Sequence, residues 1–174
     1  NLSALDVVIY GHNRNLMRLQ QVALRAFNIR HIEPISRPSA LEDLLLYSPK
    51  DIIILNHVCG VDLGEVVSIV RDQTVSQNPF AVIIVVTPAP TRSVITEALN
   101  LGVDGVIALP FTGGDFWKQL VYFVNNTRTF LRTDSYFGPC RRRTRGLIYS
   151  GIERRDMIDG DPKSVKTIPG VRRV

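Results

Sequence analysis

Side chains able to ligate a metal, attack a substrate or grip an anion are sparse in this sequence, and their spacing narrows the chemistry. The histidines are His12, His31 and His57, and the cysteines are Cys59 and Cys140. Histidine is a common metal ligand, but no second His, Cys or carboxylate stands at ligand spacing beside His12, and neither cysteine belongs to a CxxC pair. No metal or other cofactor is therefore expected, and His31 and His57 read as solvated or locally bonded. Cysteines used this sparingly fit a reducing compartment better than a disulfide framework, and no flanking charge marks the Cys59 thiol as acidic. A Gly-rich phosphate loop and a nucleophile–base pair are both missing, which argues against an enzyme. The densest chemistry is cationic: Arg141, Arg142, Arg143 and Arg145 stand together. Guanidinium groups at this density bind phosphate or carboxylate bidentately and stack on bases, so a nucleotide, a nucleic acid or an acidic protein would suit them.

These arginines belong to an uneven charge distribution. Residues 1–134 hold 11 Lys and Arg against 12 Asp and Glu, whereas residues 135–174 hold 10 against 4. The pI of about 9.6 is thus a property of the C-terminal stretch. Asp156, Asp159 and Asp161 interrupt the later basic residues, which disfavours a simple nucleic-acid arm, and no helix-turn-helix pattern is present. A chain of 174 residues, 45% hydrophobic and 21% charged, is long enough for one core plus an appendage and too apolar for wholesale disorder. Its longest apolar runs fall far short of the ~20 residues of a membrane-spanning helix. The N-terminus lacks the basic start and apolar block of a secretory signal, so a cytoplasmic location is expected.

Positioning these residues falls to a regular alternation of elements. Apolar runs rich in Val and Ile at 5–10, 29–35, 51–55, 80–86 and 105–109 read as strands. Helical periodicity fills 15–26, 38–47, 61–72, 91–101 and 114–131. Runs apolar at every position, such as those at 52–55 and 82–86, are expected of central strands covered on both faces. Leu16, Leu19, Ala23 and Phe27 form the expected buried stripe of the first helix. Leu120, Phe123, Val124, Thr127 and Leu131 form that of the last. Pro38 and Thr91 suit helix starts, and Gly102 suits a C-cap. Five βα units joined by right-handed crossovers give an α/β, doubly wound, flavodoxin-like (βα)5 sandwich with a five-stranded parallel sheet. The expected division is a body at 1–132 and a basic C-terminal extension at 133–174.

In such a fold ligands sit beyond the carboxyl ends of the strands. The residues there are Gly11-His12, Asn56, Thr87 and Leu109-Pro110-Phe111. Asn56 closes the run 51–56 with Gly64 eight residues on, Val85-Val86-Thr87-Pro88 ends the fourth strand, and residues 98–105 lead into the fifth. In order and spacing these pieces resemble the receiver (CheY-like) domain of response regulators over about residues 5–131. That family carries an acidic pair after the first strand for magnesium, a phosphoryl-accepting Asp ending the third, a Thr or Ser after the fourth and a Lys before Pro-Phe. Residue by residue, Gly11 and His12 replace the acidic pair, Asn56 replaces the acceptor, Thr87 remains and Leu109 replaces the Lys. The resemblance is therefore to a degenerate pseudo-receiver.

Magnesium requires oxygen ligation with at least one or two carboxylates, and Asp62 in the following loop supplies one at most. An amide cannot form an acyl phosphate, and Leu109 removes the cation that would balance the phosphoryl oxygens. A chemically silent site is expected, with Thr87 read as a strand-end hydroxyl bonded to the backbone. What remains for such a receiver is binding. The resemblance implies a partner-binding or homodimerising face built from the fourth helix, fifth strand and fifth helix. Candidates on it are Arg92, Ile95, Leu99, Asp104, Val106, Trp117 and Tyr122. The stretch Gly138-Pro139-Cys140-Arg141-Arg142-Arg143 looks like the Gly-Pro-acidic-Arg-Arg-Arg tails found after receiver and related domains in alphaproteobacterial signalling proteins, with Cys140 in the acidic place. The Arg141-xxx-Arg145 spacing also resembles an arginine motif for cyclic di-GMP. Two functions are thus expected: a phosphorylation-independent interaction module in bacterial signalling, or a cyclic-dinucleotide sensor using the tail arginines.

Overall fold

The computed structural model describes residues 4–58, 61–126, 128–133 and 136–140. Five strands, β1 Asp6–Tyr10, β2 His31–Ile35, β3 Ile52–Asn56, β4 Val82–Thr87 and β5 Gly105–Ala108, form one sheet in the order β2-β1-β3-β4-β5, every pair parallel. The connecting helices are α1 Arg14–Ala26, α2 Pro38–Tyr47, α3 Leu63–Arg71, α4 Arg92–Leu101 and α5 Gly113–Asn125. The flavodoxin-like doubly wound architecture is as expected. Among the described residues no helix is long and apolar enough to cross a membrane.

The period of two along each strand divides the core. Val7, Ile9, Ile52, Ile54, Ile84 and Val86 face α1 and α5, while Val8, Tyr10, Ile53, Leu55, Ile83 and Val85 face α2, α3 and α4. Both sets are buried, which is why β3 and β4 are apolar at nearly every position. Helix starts are capped by Asn13, Asp62, Thr91 and Thr112, whose side chains accept backbone N–H bonds. Pro38 opens α2, and Gly102 ends α4 in the left-handed region at φ 99°, where a side chain would be strained.

Two helix readings need correction. On α1 the buried residues are Met17, Gln20 and Leu24; Leu16, Ala23 and Phe27 are half-buried, and Leu19 is 68% exposed with Val22 at 60%. The helix carries two apolar arcs, and the one interrupted by a glutamine faces the core because Gln20 finds a polar partner there. The last helix ends at Asn125 rather than at Leu131. Asn125 and Asn126 are poor helix formers, and Phe130 is drawn into an aromatic cluster instead. An antiparallel hairpin follows, β6 Phe130–Thr133 and β7 Tyr136–Pro139, and the expected body–tail boundary after residue 132 falls inside it.

The hairpin is anchored at the N-terminal edge of the sheet. Phe80 meets Phe130 and Phe137 edge-on, with ring centroids 5.0 and 5.4 Å apart. Beneath them lies Arg71, 6% exposed, with its guanidinium 4.8 Å from the Phe130 ring centroid. Its Nη1 donates to the carbonyls of Pro79 and Ala81, each at 2.7 Å, and its Nη2 donates to Gly102 O at 2.9 Å and Asp104 Oδ2 at 3.1 Å. Asp104 accepts a further bond from Ile83 N at 2.9 Å. Burial pushes the Arg71 pKa down and that of Asp104 up, and their mutual attraction opposes both shifts. One side chain thus ties α3, β4, the α4–β5 turn and the hairpin together. Removing one member of such a pair strands a buried charge, so Arg71→Ala is expected to cost about 3–5 kcal/mol. Urea unfolding of the variant checks this, and a loss below about 1 kcal/mol would refute the anchoring role.

Candidate functional site

The carboxyl ends of β1, β3, β4 and β5 bring Gly11, Asn56, Thr87 and Leu109 to one edge of the sheet, as the sequence suggests, but the Asn56 and Thr87 side chains are buried and point to opposite faces of the sheet. Strand alternation is the cause. Asn56 is in phase with Ile52 and Ile54, so its amide is aimed at α1, where Gln20 stands on the buried arc. The two side chains bond reciprocally: Gln20 Nε2 donates to Asn56 Oδ1 at 2.7 Å, and Asn56 Nδ2 donates to Gln20 Oε1 at 2.9 Å. Both residues are 0% exposed. A donor and an acceptor from each amide are matched, so the pair satisfies much of its polarity without water.

Gly11 completes the closure. A Cβ at this position would stand 2.8 Å from Asn56 Cβ, too close for any side chain unless β3 shifts. The place where the resemblance puts the first magnesium-binding carboxylate is thus filled by Asn56 itself. His12 is exposed and meets Tyr10 edge-on with centroids 6.3 Å apart. The Tyr10 hydroxyl pKa is raised by burial and, less, by Glu65. Asp62 is exposed and spends its carboxylate capping α3 through Glu65 N. Among the described residues no three of His, Cys, Asp and Glu converge, and the residues at this edge do not fit a magnesium ion.

Thr87 is 1% exposed, and its Oγ1 accepts a bond from Ala89 N at 3.2 Å, the local role expected of a strand-end hydroxyl. The alternation that aims Asn56 at α1 turns Thr87 towards the other layer. Leu109 is half-buried against the α1–α5 core, and its N–H bonds Thr87 O at 2.8 Å. His57 is half-buried, with Nδ1 buried and unbonded among the described residues. His31 is exposed, its Nδ1 4.0 Å from Asp6 Oδ1. Cys140 is half-buried, whereas Cys59 and Arg141, Arg142, Arg143 and Arg145 lie outside the described residues.

The residues expected on a partner face are divided by the structure. Arg92 and Tyr122 are exposed, and Ile95, Leu99 and Val106 are half-buried. Two candidates leave it. Asp104 is buried on Arg71, and Trp117 stacks on Phe27 at the end of α1, centroids 4.4 Å apart and planes at 2°. Five residues along a helix turn a side chain by about 140°, so Trp117 and Tyr122 cannot share a face. Sequence reasoning missed Gln20, Arg71 and Phe130. The legible signal was polarity at an apolar position, since Gln20 is spaced with Met17 and Leu24 as a core residue would be.

No family model matches this sequence, and no curated protein matches it. Solved structures do. The chain is similar to the chemotaxis response regulator CheY4 of Vibrio cholerae at 18% identity, over 68% of this chain and 98% of that one, with a TM-score of 0.60. It is similar to the receiver domain of RcsB from Salmonella enterica at 15% identity, over 70% and 89% of the two chains, TM-score 0.58. A third likeness is to the response regulator RPA3017 in red light signaling of R. palustris, at 18% identity over 67% and 89%, TM-score 0.53. Sheet order and helix placement accordingly define a receiver-type, CheY-like fold.

The amide pair makes a specific energetic prediction. Gln20→Ala leaves the Asn56 amide buried without its partner and is expected to cost about 1–3 kcal/mol. Gln20→Met combined with Asn56→Leu, which removes both polar groups, is expected to cost less than the two single changes together. A double-mutant cycle by urea unfolding measures the difference, and strict additivity would contradict a coupled pair.

Proposed function

We propose that this chain is a phosphorylation-independent pseudo-receiver: a non-enzymatic, cytoplasmic interaction module of bacterial signal transduction. The receiver-type fold supports the signalling context, since the solved structures it resembles include named response regulators. The observation carrying the reading is the closed acceptor position. Asn56 is fully buried, bonded to Gln20 and pressed against Gly11, so the atom that would accept a phosphoryl group is an amide without solvent access. Phosphoryl transfer needs a carboxylate nucleophile and cations to neutralise the equatorial oxygens, and Leu109 offers only hydrocarbon where a cation would stand.

Without that trigger, the α4–β5–α5 face is held in one state or is moved by a binding partner. Arg92, Ile95, Leu99, Val106 and Tyr122 are the residues through which a signalling protein or a second copy would engage it. The alternative, cyclic di-GMP held by Arg141 and Arg145, rests on residues beyond the described region. Those arginines follow Cys140, whose N–H bonds Thr129 O at 2.7 Å at the base of the hairpin. A ligand there would begin at the sheet edge opposite Asn56 and Thr87.

Beryllofluoride with magnesium mimics the phosphorylated state, and NMR reads its arrival directly. Under saturating reagent the resonances of Asn56 and Thr87 are expected to stay in place; movement of both would overturn the reading. Calorimetric titration with cyclic di-GMP is expected to give no heat, and heat abolished by Arg141→Ala with Arg145→Ala would favour the sensor.

A further inference from the structure

The two helical layers carry opposite charge, and each leaves an apolar patch uncovered. On α1, Arg14, Arg18 and Arg25 are exposed, the helix contains no acidic residue, and none of the three arginines forms an ion pair among the described residues. Beside them are the exposed Leu19 and Val22. The opposite layer is acidic. Glu42 and Asp43 on α2 and Asp72 after α3 are exposed, α2 has no Lys or Arg, and the single Arg of α3 is the buried Arg71. Thr74 holds the Asp72 carboxylate below its ordinary pKa by hydrogen bonding, so it stays charged. One turn beyond Glu42 and Asp43, Leu46 is 43% exposed and Tyr47 78% exposed, making this the more open end of the acidic layer.

The chain supplies a complementary segment. Residues 141–155 read as arginines, then an apolar run Leu147-Ile148-Tyr149-Ser150-Gly151-Ile152, then Arg154 and Arg155, and residues 141–174 hold 10 Lys and Arg against 4 Asp and Glu. The segment starts on the right side of the molecule. Cys140 closes the hairpin, Arg132 of the hairpin donates to Gln73 Oε1 at 2.9 Å, and Gln77 of the same loop donates to Leu46 O at 2.7 Å. Hairpin, α3–β4 loop and the end of α2 therefore lie in series along the N-terminal edge of the sheet. Crossing from α4 past α3 to α2 spans two interaxial spacings, about 16–20 Å. The apolar run begins seven residues after Cys140, a reach of roughly 23 Å when extended. By sign of charge alone, the acidic α2 patch suits this segment and the basic α1 patch does not.

We propose that segment 141–155 docks back across the N-terminal edge onto the end of α2. Its apolar run covers Leu46 and Tyr47, and its arginines face Glu42, Asp43 and Asp72. Tethering favours this contact over the same contact between two chains, because short linkers give effective concentrations in the millimolar range. The contact also occupies the arginines that a nucleotide or acidic partner would otherwise engage. It goes beyond the interaction-module reading and does not rest on it: beryllofluoride reports on Asn56, and the docking is read at position 47.

The test places the photocross-linker p-benzoylphenylalanine at position 47 of the full chain. Light and isotope-heavy chains are mixed, irradiated at micromolar concentration and digested for mass spectrometry. Expected are cross-links from position 47 to residues 146–155, light to light and heavy to heavy, that fall several-fold in Glu42→Lys with Asp43→Lys and at high salt. The same probe at position 19 is expected to capture no tail peptide. Mixed-isotope cross-links, equal capture from positions 19 and 47, or no tail peptide at position 47 would each overturn the proposal.

Discussion

Strand β3 ends on an amide that the pleat aims into the α1 layer, and the rest of the site follows from where that side chain must go. A buried amide costs a few kcal/mol unless its donors and acceptors are met, so the helix packed over it has to offer a matching group. Gln20 does so with two bonds between fully buried side chains. The strand passing beside it then has no room for a side chain at Gly11, and Leu109 across the edge packs as a hydrophobe. Each of these arrangements supports the others. A carboxylate at Asn56 could not make the same reciprocal bonds unless protonated, and a carboxylate at Gly11 could not be accommodated.

At the opposite edge of the sheet the same logic operates with charge. Arg71 is held by three carbonyls and by Asp104, under a ring contributed by the hairpin. An ion pair this deep adds little net stability over hydrocarbon, but it demands that all its partners be present together. The hairpin is thereby made part of the body. The two edges thus differ: one is sealed by neutral amides, and the other is held by a buried ion pair beneath the hairpin.

Much of the architecture was legible because β3 and β4 are apolar at almost every position, a pattern expected of a sheet covered on both faces. Thr91, Pro38 and Gly102 marked helix ends through local chemistry that tertiary packing did not override. The misreadings came from residues whose roles are set by distant partners. Leu19 and Ala23 match a helical stripe as well as Met17 and Leu24 do, and only Asn56, far along the chain, decides which arc turns inward. Leu131 keeps the period of α5, yet Arg71 and Phe80 hold Phe130 in a hairpin. The residue types at Gly11, Asn56 and Leu109 could be read from the sequence, whereas the closure they produce could not, because it depends on Gln20.

The side-chain amide protons of Asn56 and Gln20 test the closed site most directly. In a uniformly nitrogen-15 labelled chain transferred to heavy water, the account predicts that these NH2 signals persist long after those of exposed residues such as Asn15 have vanished. Exchange of the Asn56 signal as fast as that of Asn15 would mean that the pocket stands open to solvent, and would contradict it.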